Sequence, residues 1–437
     1  MAVEALRAYV EELLALQGFP GLALAVTNRD TLVASESFGL ANLDAGTPVS
    51  RGTYFEFGSI GKTFTAVLVL QLHEQGVVEL DEPVTRYLPW FEVRSEHGPI
   101  TIRHLLTHSS GLMIGADMSA NSRFDVWALR EIETGCPPGT RYLYSNIGYR
   151  VLGFVVEEVT GLPYGEALRT RILEPLGLEA TDPEITSEGR LRLAVGYQRL
   201  YDDRPERRID PWVPAAWLET GTGDGSLAGT VEDLAAFLRA LLDRGRGLMT
   251  PESLELMTST SVEAEAGWWY GFGLGLREHE GRREIRHGGS MPGFGATMLG
   301  DLDSGLGVAV AVNVSDELSV TEEVATAVLN LYRDGSALPS VSDPFAVEDA
   351  SMFEGLYVGD AGRLVLEAER DRLFLDGVAL EPRGTDCFLA DHPGFALFLL
   401  RFRREDGRIV EAVHGGDLYR REGAPVTSPP ATPPEWG

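Results

Sequence analysis

The chain of 437 residues carries 37 basic and 66 acidic side chains, a formal net charge of −29, with 44% apolar and 24% charged residues. That is the mixture of a folded globular protein, and its length exceeds what one hydrophobic core fills, so two domains are expected. The acidic excess excludes a nucleic-acid backbone or an anionic membrane surface as partner, and two cysteines, Cys136 and Cys387, are too few for a disulfide framework or a metal cluster.

In chain order, Met1 to Leu16 alternates apolar residues with Glu4, Arg7, Glu11 and Glu12. This reads as an amphipathic helix without the basic start and apolar run of a signal peptide, and no stretch reaches membrane-span length. A soluble, cytoplasmic protein is the expectation. From Phe19 to Phe57, short apolar runs such as Leu22 to Val26 and Thr31 to Ala34 flank Asn28-Arg29-Asp30, the chemistry of a hairpin opening a sheet. Phe64, Val67, Leu68 and Leu72 then set a helical period over Thr63 to Gln75, with Gly76 as its stop. Thr85 to Leu248 is rich in helical patterns, Thr101 to His108, Ile147 to Val159 and Val231 to Leu242 among them, broken by Gly and Pro loops.

From Tyr270 to Val314 the pattern returns to strands, at Glu284 to His287, Ala296 to Leu299 and Gly307 to Val314, so the sheet is completed late in the chain. A closing helix, Thr321 to Tyr332, leads into the linker composition of Pro339 to Pro344. Beyond it, Arg363 to Glu367, Leu373 to Leu375, Phe395 to Phe402 and Ile409 to His414 alternate with period two, as in a small β-barrel or sandwich. The expected partition is a first domain over 1–338, a linker over 339–349, a β-domain over 350–423 and a disordered Pro-rich tail over 424–437.

Lys62 is the only lysine, so every other basic residue is arginine. Arginine serves wherever a fixed charge suffices but cannot supply a titratable amine, which marks position 62 as chemically constrained. Gly61-Lys62-Thr63 lacks the glycine five residues earlier that a phosphate-binding loop needs; Glu56 stands there, and a carboxylate would repel phosphate. Gly271-Phe272-Gly273-Leu274-Gly275 lacks dinucleotide-loop spacing and marks close backbone packing instead. His104 and His108 are four apart, but Leu105 takes the glutamate position of a zinc-protease motif, so both are read as structural. Ser59-Ile60-Gly61-Lys62 has a different logic, because residues three apart share a helix face and bring a hydroxyl beside an amine at a helix N-terminus.

Ser59-x-x-Lys62, Tyr144-Ser145-Asn146 and His287-Gly288-Gly289, in that order, resemble the three motifs of the β-lactamase-related serine hydrolases, which include class C β-lactamases, D-aminopeptidases, DD-peptidases and carboxylesterases. The flanks agree over roughly residues 20 to 335, and the C-terminal β-segment is similar to the lipocalin-like domains that some members carry. The resemblance implies an α+β fold, a β-lactamase/transpeptidase-like antiparallel sheet with flanking helices and a helical region, followed by a small all-β domain. It implies that Ser59 is acylated, that Lys62 and Tyr144 share the proton transfers, that the N–H groups of Ser59 and Ser290 hold the oxyanion, and that Asn146, His287 and Gly289 help bind substrate. No cofactor and no metal are expected, and the partner is a small ester, amide or short peptide; an oligomer is compatible with the sequence.

One departure bears on substrate. Many β-lactamases and DD-peptidases carry Lys-Thr-Gly as the third motif, binding a substrate carboxylate through cation and hydroxyl. His287-Gly288-Gly289 weakens that anchor, favouring esterase or D-aminopeptidase activity over a β-lactamase or DD-carboxypeptidase. The rival of another class is a non-catalytic penicillin-binding sensor, acylated once without turnover; the presence of Ser59, Lys62, Tyr144 and Asn146 together argues against it.

Overall fold

The computed structural model describes residues 2–112, 121–201, 203–259, 261–315, 319–341 and 343–423. The expected disordered tail, 424–437, lies outside them. The chain forms two compact units, Met1–Gln198 with Val213–Pro339, and Arg199–Trp212 with Ser340–Gly437. Among the described residues no helix is long and apolar enough to cross a membrane.

The first unit opens with helix α1 (Ala2–Gln17) and the hairpin of β1 (Gly21–Thr27) and β2 (Leu32–Asn42), whose turn is held by Asn28 Oδ1 accepting from the N–H groups of Asp30 and Thr31. β1 lies between β2 and the strand Leu306–Val312, with Leu22 opposite Val312, so the first strand is sealed by the last. Six further antiparallel strands complete a nine-stranded sheet, the short β3 (Thr47–Pro48) at one edge and Val262–Glu265 at the other. The order is the one anticipated, an early hairpin completed by late strands.

Every residue of β1 is buried, and an unbroken apolar strand requires cover on both faces. The cover is visible in the alternation of side chains. Side chains at Gly300 and Gly307 would run into Leu238 and Leu242 of the helix Val231–Leu242. Thr297, on the opposite face of the same strand, hydrogen-bonds Thr321 of the helix Ser319–Asp334 at 2.9 Å. The helix α2 (Gly61–Glu74) is buried around most of its circumference, the signature of a core helix, and Lys62, Thr63 and Thr65 are taken out of water with it.

The helix expected over Thr101 to His108 is shorter. α3 covers Ile102–Leu106, and His108 turns out of it at φ +54°, so His104 and His108 do not share a helical face. His104 instead completes a capping box with Thr101. Asn121 caps α4 (Ser122–Ala128), and Ser145 Oγ caps α5 (Asn146–Thr160) by accepting from Gly148 N–H at 3.1 Å.

The second unit is a closed eight-stranded barrel running from Gly355–Gly359 to Asp417–Arg421, each strand beside its sequence neighbour and the ends joined with Tyr357 opposite Arg421. Its core is filled by side chains; Phe353, Phe388 and Phe402 meet edge to face at 5.0 to 5.6 Å. The expected strand over Phe395 to Phe402 is confined to Leu400–Glu405, since a 3-10 turn over Pro393–Phe395 takes up the start of the stretch. Arg207 and Arg208, from the Arg199–Trp212 segment, pair with Asp391 and with the buried Glu381.

Candidate active site

The site is built where three stretches of backbone meet. Gly58, at φ +50°, leads the 3-10 turn Gly58–Ile60 that carries Ser59, and a Cβ there would stand 2.7 Å from the backbone of Ser290. At Gly289 a Cβ would stand 1.8 Å from the Phe57 carbonyl, a collision that no neighbour can yield to. Glycine at 289 is therefore what lets the strand Arg282–Met291 lie against the serine turn. The run Gly271 to Gly275 does the same beneath α2: Gly273 sits against Ala66 and the Lys62 carbonyl, and its own carbonyl accepts from Thr63 Oγ1 at 2.6 Å, as its reading as a packing element anticipates.

The 3-10 turn runs straight into α2, so Ser59 and Lys62 stay on one face. Lys62 Nζ lies 2.9 Å from Ser59 Oγ and 2.6 Å from the Asp224 carbonyl, fully buried, with the Tyr144 ring centroid 5.0 Å away. The Asp224 side chain accepts from buried Arg150 of α5 at 3.1 Å, and Arg150 also reaches Asp125 at 2.8 Å. Tyr144 lies just before the cap of α5 and Asn146 is the helix's first residue.

His287 is buried on its strand. Nδ1–H donates to the Gly288 carbonyl at 2.6 Å, and Nε2 accepts from the Tyr270 hydroxyl at 2.8 Å. Burial, reinforced by the Lys62 cation, pushes its pKa down to about 3, so the imidazole is neutral at pH 7. The sequence anticipates a partly charged ring; the fold removes the charge. Arg286 beside it stacks on Trp268 at 3.6 Å and is ion-paired with Glu265 and Glu322. Glu56 is buried with its carboxyl pushed up to about 8 by desolvation, so at neutral pH it is mostly protonated and is not the repelling charge its position suggests.

Ser59, Tyr144, His287 and Ser290 line one cavity of about 430 Å³, walled by Tyr142, Trp268, Trp269 and Tyr270. Lys62, Asn146 and Gly289 are not part of that lining. A larger concavity of about 760 Å³, bordered by Arg29, Arg244 and Glu255, holds none of these residues. Four contributors escape a reading of motifs: Tyr270, Trp268, Asp224 and His108. The aromatic run Trp268-Trp269-Tyr270 and the Gly223-Asp224-Gly225 loop are the signals that could have drawn attention to the first three.

A serine hydroxyl touching a buried lysine at the head of a core helix, against an antiparallel sheet, defines a serine hydrolase of the penicillin-recognising class. The Beta-lactamase family model matches residues 6–333, and the chain belongs to that family. Penicillin-binding protein 4* of Bacillus subtilis (strain 168) is 26% identical over 390 residues, 82% of this chain and 84% of that protein. Among solved structures, the octameric penicillin-binding protein homologue from Pyrococcus abyssi matches with a TM-score of 0.69 at 25% identity, covering 96% of this chain and 100% of that one. A D-stereospecific amidohydrolase from Streptomyces sp. matches with a TM-score of 0.61 at 27% identity, covering 76% of this chain and 99% of that one.

Proposed function

We propose that this protein hydrolyses small esters or D-configured amides through an acyl-enzyme on Ser59, with weak or no activity on β-lactams. The observation that carries the reading is the contact of Ser59 Oγ with the buried Lys62 Nζ at 2.9 Å. Ser59 attacks the substrate carbonyl and its proton passes to the Lys62–Tyr144 pair. The N–H groups of Ser59 and Ser290 stabilise the oxyanion, and Tyr144 returns the proton to the departing oxygen or nitrogen. Water then attacks the acyl ester, giving up its proton along the same route, and Ser59 is restored. Asn146, His287 and Gly289 are assigned to substrate binding.

Substrate preference follows from charge. A neutral His287 cannot anchor a substrate carboxylate, and the neighbouring cation, Arg286, is already engaged by Glu265 and Glu322. The similarity to a D-stereospecific amidohydrolase supports the same side of the choice. The test is a panel of p-nitrophenyl esters, D-amino-acid p-nitroanilides and a chromogenic cephalosporin, with fluorophosphonate labelling located by peptide mapping. Turnover is expected on the first two classes and label on Ser59. An adduct on another serine, with Ser59 unmodified, would overturn the assignment, and a burst without turnover on every substrate would favour the sensor.

Since all three motifs precede residue 339, we propose that residues 1–338 carry the chemistry. A chain ending at 338 is expected to melt cooperatively and to keep its kcat on p-nitrophenyl acetate within about threefold, as an independently folding domain should. It should melt at a lower temperature, because Arg207 and Arg208 lose their partners Asp391 and Glu381. Failure to obtain cooperatively melting protein would place the boundary elsewhere.

A further inference from the structure

His108, which its sequence context marks as structural, is placed where it acts on the second motif. It is fully buried and holds φ +54°, a conformation common for glycine and asparagine and uncommon for other residues. Two hydrogen bonds explain what that conformation secures. The His108 carbonyl accepts from Leu143 N–H at 2.7 Å, and its Nδ1 accepts from Ser145 N–H at 3.0 Å. The residues on either side of Tyr144 are thus tied to one histidine. Its ring also lies against the Tyr144 ring, with centroids 4.3 Å apart, and within 4.9 Å of the rings of Tyr149 and Tyr270.

The tautomer follows from the geometry. Nδ1 is an acceptor, so the neutral ring carries its proton on Nε2, which has no hydrogen-bond partner among the described residues and sits in this aromatic surround. A second proton would set Nδ1–H against Ser145 N–H. Burial, with the charge of Lys62 adding to it, holds the ring well below the ordinary histidine range.

We propose that His108 is a positioning residue for catalysis: by holding Leu143 and Ser145 through its carbonyl and Nδ1, it sets the Tyr144 hydroxyl for proton transfer with Ser59 and Lys62. The proposal rests on the role assigned to Tyr144 above. His104 has no part in it, since its side chain is spent on capping α3. Among the described residues no group of three or more His, Cys, Asp or Glu side chains is arranged to hold a metal ion.

The test separates the acceptor from the ring. Asparagine tolerates positive φ and places Oδ1 where histidine has Nδ1, so His108→Asn keeps the bond to Ser145 N–H; His108→Phe keeps a ring and loses the bond. Kinetics are measured on p-nitrophenyl acetate, with active sites titrated by fluorophosphonate so that unfolded protein does not count. His108→Phe is expected to lower kcat per active site about 10- to 100-fold with KM changed less than about threefold, the cost of a catalytic group displaced by a fraction of an ångström. His108→Asn should stay within about threefold of the wild type in kcat.

Histidine-selective ¹⁵N NMR of the unaltered protein, with the His108 signals identified by their loss in His108→Asn, supplies a readout that does not depend on the phenylalanine variant folding. It should show an Nε2–H tautomer that does not titrate between about pH 5.5 and 8.5. A His108→Phe enzyme as fast per site as the wild type, an asparagine variant as slow as the phenylalanine one, or an Nδ1-protonated ring would each overturn the proposal. Tyr144→Phe, measured in parallel, separates the two levels. If it retains full kcat, the role of Tyr144 falls and that of His108 with it; if it is slow while His108→Phe is not, only the inference about His108 falls.

Discussion

Ser59→Ala is expected to lower kcat on p-nitrophenyl acetate by at least about 10⁴-fold, the order seen when an enzyme loses a covalent nucleophile. Ser59 Oγ is the hydroxyl in contact with the buried amine of Lys62, so its removal leaves no oxygen there to carry an acyl group. The fold should notice little. Ser59 is half-buried at the cavity edge, and its loss leaves Lys62 Nζ the Asp224 carbonyl at 2.6 Å. Alanine also fits a 3-10 turn whose N-cap makes no side-chain hydrogen bond, so no helix cap is lost. A melting temperature within a few degrees of the wild type is therefore expected beside the large loss of rate. Initial rates at saturating ester, corrected for the uncatalysed reaction, decide it. If more than about 1% of kcat survives, the nucleophile lies elsewhere.

Local chemistry was legible in the sequence wherever the fold kept it local. Ser59 and Lys62 are three residues apart on a turn that runs directly into α2, so spacing alone foretold their contact. The early hairpin and the late strands could be read from apolar runs, because a strand covered on both faces leaves an unbroken pattern. What the sequence hid depends on partners distant along the chain. The charge state of His287 is decided by burial and by Lys62, and one hydrogen-bond partner of Lys62 is a main-chain carbonyl, that of Asp224, which no side-chain pattern announces. His108 was hidden by a backbone dihedral: a helical period extrapolated from α3 puts it beside His104, whereas a single left-handed residue turns it toward Tyr144. In the Arg199–Trp212 segment, Arg207 and Arg208 find carboxylates more than 170 positions later, which composition cannot anticipate.

The sole lysine provides the sharpest test of the chemistry, because Lys62→Arg keeps the charge that arginine supplies at every other basic position. Ester kcat is expected to fall by roughly 10² to 10⁴, the usual worth of general acid–base assistance. The proposed route passes the Ser59 proton to the Lys62–Tyr144 pair and back within each turnover, which needs a side chain at 62 that can lose and regain a proton. A guanidinium with a pKa above about 12 cannot do that near neutral pH. The slot compounds the loss. Lys62 is fully buried, with the Ser59 hydroxyl and the Asp224 carbonyl among its partners, whereas a guanidinium brings five donors in a rigid fork. Donors left unmatched in that space each cost about 1 to 3 kcal/mol, so the melting temperature should fall as well. Rate must therefore be separated from folded fraction, and Lys62→Met does so. It fills the slot with an unbranched, uncharged chain, leaves no donor unmatched on the substituted side chain, and should be as inactive as the arginine variant while melting higher. Kinetics normalised to protein that melts cooperatively provide the measurement. An arginine enzyme retaining more than about a tenth of wild-type kcat would show that charge, and not proton transfer, is what position 62 supplies.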